Sequence, residues 1–72
     1  MKNQNVILLS KKIIESFGVP FLKKEFVVGA STVYAWRRRG MTMTQIQMLH
    51  YKYPNSAVWM EDCAKAAFQT IA

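Results

Sequence analysis

Glycines and prolines punctuate this chain at intervals that leave room only for short helices. Gly18, Gly29, Gly40 and the Tyr53-Pro54 step separate segments whose apolar residues recur every three or four positions, the period of a helix with one face in a core. Val6, Leu9, Ile13 and Phe17 form one such stripe with Lys11, Lys12, Glu15 and Ser16 between them, which predicts an amphipathic helix over about residues 3–17. Gly18 is a natural stop for it. Pro20 suits the first turn of a second helix, where its missing N–H costs nothing, and Phe21, Leu22 and Phe26 give that helix its apolar face. A third helix spans Ala30–Arg39 with a glycine at each end. Thr42 with Gln45 three residues on is a capping-box pattern that opens a fourth; Ile46 and Leu49 face the core, and the helix ends near Tyr51 before Pro54. Asn55 or Ser56 can cap a fifth that carries Val58, Trp59, Cys63, Ala66, Ala67, Phe68 and Ile71. No strand-like alternation of useful length occurs, so the expected fold is all-α: a compact bundle of about five short helices forming one domain over residues 1–72.

A chain of 72 residues buries only about 60% of the surface its unfolded form exposes, so stability is expected to be marginal. Several function classes have no foothold. The single cysteine, Cys63, excludes an intramolecular disulfide and a cysteine-based zinc cluster; it reads as a helix residue in a reducing compartment, with the cytoplasm as the default. His50 is the only histidine and has no partners for a metal site. Three glycines and four acidic residues supply no nucleophile–base set, no catalytic carboxylate pair and no phosphate-cradling loop, so neither catalysis nor a cofactor nor a small-molecule ligand is expected. The run Val6 to Leu9 is too short for a signal-peptide core or a membrane span. Met41, Met43, Met48 and Met60 are expected to fill gaps in the core, with an adaptable partner surface as the alternative.

The charge is segregated. Residues 1–54 hold nine basic and two acidic groups, for +7, whereas residues 55–72 set Lys65 against Glu61 and Asp62, for −1. A basic surface of that kind attracts polyanions, although charge alone also fits a merely solvated exterior. The second and third helices narrow the choice. A helix-turn-helix needs a few interlocking apolar positions and a second helix whose outer face stays free for a groove. Leu22 and Phe26 on the first helix, Val28 in the turn, and Val33 and Trp36 on the second fill those positions. Shifting the register by two would bury Ala35 and Arg38 instead, which rules that register out.

With Val33 and Trp36 inward, a helical turn leaves Ser31, Tyr34, Ala35 and Arg38 facing outward. These are the candidate base-reading residues: the Arg38 fork matches guanine O6 and N7, Ser31 and the Tyr34 hydroxyl donate or accept, and the Ala35 methyl suits a thymine methyl. Arg37 and Arg39 on the flanks, with Lys23 and Lys24 on the preceding helix, are candidate phosphate contacts. Cations at a helix C-terminus are also favoured by the helix dipole alone, which accounts for the arginines but not for the small polar face above them.

The stretch Val28-Gly-Ala-Ser-Thr-Val-Tyr-Ala-Trp-Arg-Arg-Arg-Gly resembles the helix-turn-helix of the lambda-repressor-like superfamily, in particular phage Cro and CI-type repressors. Thr42 to Leu49 and Asn55-Ser-Ala-Val-Trp-Met are similar to the later helices of the same domains, so the likeness covers roughly residues 15–62. Two positions depart from the family's pattern. Lys23 stands where a small residue is usual, and Val27 stands where the left-handed turn position usually holds glycine. A β-branched residue is strained there, so the expectation is either a turn of another conformation, with Gly29 as its flexible point, or a looser likeness than the apolar pattern suggests.

The resemblance implies a sequence-specific regulator of transcription that binds double-stranded DNA, a Cro-like phage repressor that acts by occluding a pseudo-palindromic operator. A lone helix-turn-helix makes few base contacts, so a homodimer on half-sites about 34 Å apart is expected, either in solution or only on DNA. The small residues Ala64 and Ala67 beside Phe68 and Ile71 mark a candidate dimer interface on the last helix, which alternatively just covers the core. Two other readings stay open: an excisionase-type architectural factor, which would continue into a β wing after Gly40, and an antitoxin or anti-repressor whose Tyr34 and arginines meet an acidic protein.

Overall fold

The chain's structure, a computed structural model, describes residues 4–69. Five α-helices follow one another: α1 Gln4–Phe17, α2 Val19–Phe26, α3 Ala30–Arg39, α4 Met43–Lys52 and α5 Asp62–Gln69, with a 3₁₀ turn at Ala57–Met60 between the last two. No strand occurs among the described residues, and the fold is the small all-α bundle that the apolar spacing predicts. Helix α1 is its centre. It lies against α3, α5 and α2, and its Leu9, Ile13 and Ile14 join Leu22, Val33, Ile46, Leu49 and Val58 in one core.

Local chemistry sets the joints. Gly18 ends α1 by donating its N–H to the Ile14 carbonyl (2.9 Å) and starts α2 by accepting from Leu22 N–H (3.1 Å). It does both at φ +88°, a conformation that side chains rarely tolerate. Gly40 closes α3 at φ +90°, and a Cβ there would stand 3.3 Å from Ile7. The Thr42 capping box forms in full: Gln45 N–H donates to the Thr42 hydroxyl (3.2 Å) and Thr42 N–H to the Gln45 side chain (3.0 Å).

Three expectations need correction. The fifth helix is not continuous: Ser56 caps only the 3₁₀ turn, Glu61 is extended, and α5 restarts at Asp62. In one unbroken helix Val58 and Ala67 would point about 180° apart, yet both are buried, so the break resets the phase. Of the four methionines, Met41 is buried and Met43 partly so, whereas Met48 and Met60 are 41% and 71% exposed and fill no core gap. The left-handed residue of the α2–α3 turn is Val27 itself, at φ 54° and ψ 55°. Gly29 has an ordinary extended backbone at φ −83° and is not the flexible point.

Candidate nucleic-acid interface

Helices α2 and α3 are joined by Val27, Val28 and Gly29. The last turn of α2 closes with Val27 and Val28 both donating to the Lys23 carbonyl, the pattern of a helix end with a left-handed residue, where glycine is usual. Among the described residues Val27 is the one non-glycine at positive φ. Its side chain is 89% exposed, so burial does not compensate the backbone strain. Across the turn, Phe26 and Trp36 pack edge to face at 5.3 Å. Leu22 and Val33 are fully buried, and Phe26, Val28 and Trp36 pack on the same core. The five residues expected to interlock thus all lie in or against one core.

That packing fixes the way α3 faces. Ser31, Tyr34 and Arg38 are exposed and Ala35 is half-buried, while Arg37 and Arg39 are exposed beside them. Helical phase puts Ser31, Arg38 and Ala35 within about 40° of the direction opposite Val33, with Tyr34 on one shoulder. Thr32, also exposed, lies on the other shoulder about 60° from Ala35. It was absent from the expected set, although the same wheel contains it. No carboxylate lies on α3.

Lys23 and Lys24 are exposed in the last turn of α2. The exposed position accommodates the long Lys23 side chain. The nearest acid along the chain, Glu25, is turned away and engaged: its carboxylate accepts from Lys52 Nζ (2.6 Å) and from the Tyr53 hydroxyl (3.0 Å). The Lys52 hydrogen bond, then that of Tyr53, holds the Glu25 carboxyl below the usual carboxylate range, and the same bonds raise Lys52 and Tyr53.

The expected dimer residues are placed differently. Ala64 and Ala67 are fully buried where α5 lies against α1, so their small size serves close packing inside one chain and they cannot meet a second copy. Phe68 packs on His50 at 5.0 Å and on Trp59 at 6.0 Å; Ile71 lies outside the described residues. Burial raises the Cys63 thiol, which keeps it protonated near neutrality. No group of three or more potential metal ligands occurs among the described residues, and no helix there is long and apolar enough to cross a membrane.

Two residues absent from the expected site hold its frame. Ser10, buried in α1, accepts the Met41 N–H at 2.7 Å and donates to the Val6 carbonyl at 2.7 Å, which ties the exit of α3 to α1. Glu25 ties the end of α2 to the end of α4. Neither has a signal in the sequence, because both partners are remote along the chain.

Comparison with protein-family profiles, curated proteins and solved structures gives no match.

Proposed function

We propose that the chain is a sequence-specific double-stranded-DNA-binding regulator of the Cro-like repressor kind, with α2 and α3 as its helix-turn-helix and α3 as the helix that enters the major groove. One observation carries the reading: the face of α3 opposite Val33 and Trp36 is an exposed row of Ser31, Tyr34 and Arg38, with Arg37 and Arg39 alongside and no acid. Such a row offers donors and acceptors at base-edge height with cations at its margins for phosphates. Repression then works by occlusion of an operator, which asks nothing of the protein beyond the bound domain itself. Two copies on a pseudo-palindrome supply the contacts one lacks, through a surface other than Ala64 and Ala67.

The excisionase-type alternative loses support, because the residues after Gly40 enter α4 and no wing strand follows among those described. A protein-interaction role rests on a separate observation, the 87% and 71% exposure of Tyr51 and Met60, and it predicts little dependence on nucleic acid.

Titration of a labelled duplex at stepped salt separates these readings. Contact with several phosphates gives a slope near −0.9 per phosphate in log affinity against log salt. Absence of binding at low salt overturns the DNA reading.

A further inference from the structure

The α2–α3 turn holds its strained residue in the open, 89% exposed. Val27 adopts the left-handed conformation without burial to favour it, and such residues persist only where their surroundings over-determine them. Two restraints act on the end of α2. One is the pair of N–H groups of Val27 and Val28 on the Lys23 carbonyl. The other is Glu25, two residues before Val27, whose side chain is only 14% exposed while it grips Lys52 and Tyr53 at the end of α4.

Tyr53 is a firm anchor. Its ring lies 5.7 Å from Phe17 and 5.4 Å from Phe21, and its carbonyl accepts the Trp59 indole N–H at 2.7 Å. Glu25 therefore fastens the last turn of α2 to a fixed part of the bundle, one residue before Phe26 meets Trp36 of α3.

We infer that Glu25 is a positioning residue for the α3 face: its grip on Lys52 and Tyr53 keeps the Val27 turn in its strained conformation and so holds α3 at its angle. The inference rests on the proposed DNA reading only for its functional consequence. Without the grip, the last turn of α2 unwinds to relieve Val27, and α3 loses its fixed angle while the core of α1, α4 and α5 remains.

The expected effect runs against simple electrostatics. E25Q removes a negative charge, which by charge alone strengthens attraction to a polyanion. The positioning role predicts weaker DNA binding instead, together with rescue when the strain is removed by V27G.

The test compares wild type, E25Q, V27G and E25Q/V27G by amide hydrogen exchange and by duplex-DNA affinity. E25Q is expected to speed exchange of the Val28 N–H severalfold, with Leu9 and Ile13 amides unchanged; E25Q/V27G is expected to restore protection. DNA affinity should follow the same order. Unchanged Val28 exchange in E25Q, failure of V27G to restore it, or affinity that rises in E25Q overturns the inference. If wild type binds no duplex, the DNA reading falls, and the exchange series alone decides whether Glu25 holds the turn.

Discussion

The Ser10 hydroxyl, buried in α1, accepts the backbone N–H of Met41 at 2.7 Å from 31 positions away along the chain. This bond joins the central helix to the peptide that leaves α3, next to Gly40, where a Cβ would stand a tight 3.3 Å from the Ile7 side chain. A buried amide without a partner costs roughly 1–3 kcal/mol. Ser10→Ala should therefore destabilise the protein by that amount. In a domain of this size each kcal/mol lowers Tm by about 4–8 °C; a thermal scan showing no change would mean that Met41 finds another acceptor.

Val27 supplies the opposite prediction. The left-handed backbone costs an L-residue roughly 1–2 kcal/mol, and glycine gives back about 0.4–1 kcal/mol through the entropy of its unfolded state. With its side chain 89% exposed, little packing is lost. Val27→Gly should stabilise the protein by about 0.5–1 kcal/mol on that balance, read as a higher denaturant midpoint with unchanged slope. A lower midpoint would show that the valine side chain makes a contribution that the exposed geometry does not contain.

The tie between α2 and α4 should respond to pH at both ends. Its Lys52 bond, and secondarily its Tyr53 bond, depress the Glu25 carboxyl below its ordinary value of 4.5. Its contribution is thus complete above that value and is lost as pH falls through the lowered one. Tyr53 is raised above 10.0 mainly because it donates to Glu25, and Lys52 is raised above 10.5 mainly by the same carboxylate. Their contributions are complete below those values and disappear as pH climbs past the raised ones. Measured stability should be flat in this respect between about pH 5 and 9, and Glu25→Gln should flatten the acid limb; an unaltered acid limb contradicts the assignment.

On the proposed reading, the two kinds of arginine on α3 separate in a binding assay. Arg38→Ala should cost about 1–3 kcal/mol on the preferred site and relax the preference at one base pair. Arg37→Ala should weaken binding to all duplexes alike and reduce the salt slope by about one phosphate. Loss of equal size on preferred and random duplexes for both variants would remove Arg38 from the base-reading set.

The division between what was legible and what was not follows the range of the interactions. Helix α3 was readable to the residue because Gly29 and Gly40 bound it and Val33 and Trp36 set its phase. The Thr42 capping box spans three residues and was equally plain. The break at Glu61 was hidden because Val58 and Trp59 continue the apolar density of α5, and only their phase against Ala64 and Ala67 betrays two separate pieces. Ser10 and Glu25 look like ordinary surface residues until Met41, Lys52 and Tyr53 are brought to them from 27 to 31 positions away. Ala64 and Ala67 were ambiguous for a different reason: small residues suit close packing against any helix, and here the partner is the chain's own α1.

Whether the outward face of α3 reads base sequence, as proposed, is decided by selecting bound sequences from a random duplex pool at about 0.15 M salt, where weak non-specific binding is suppressed. The expected product is an inverted repeat with half-site centres about 10 bp apart. Recovery of no preferred sequence, with binding lost at that salt, would contradict it.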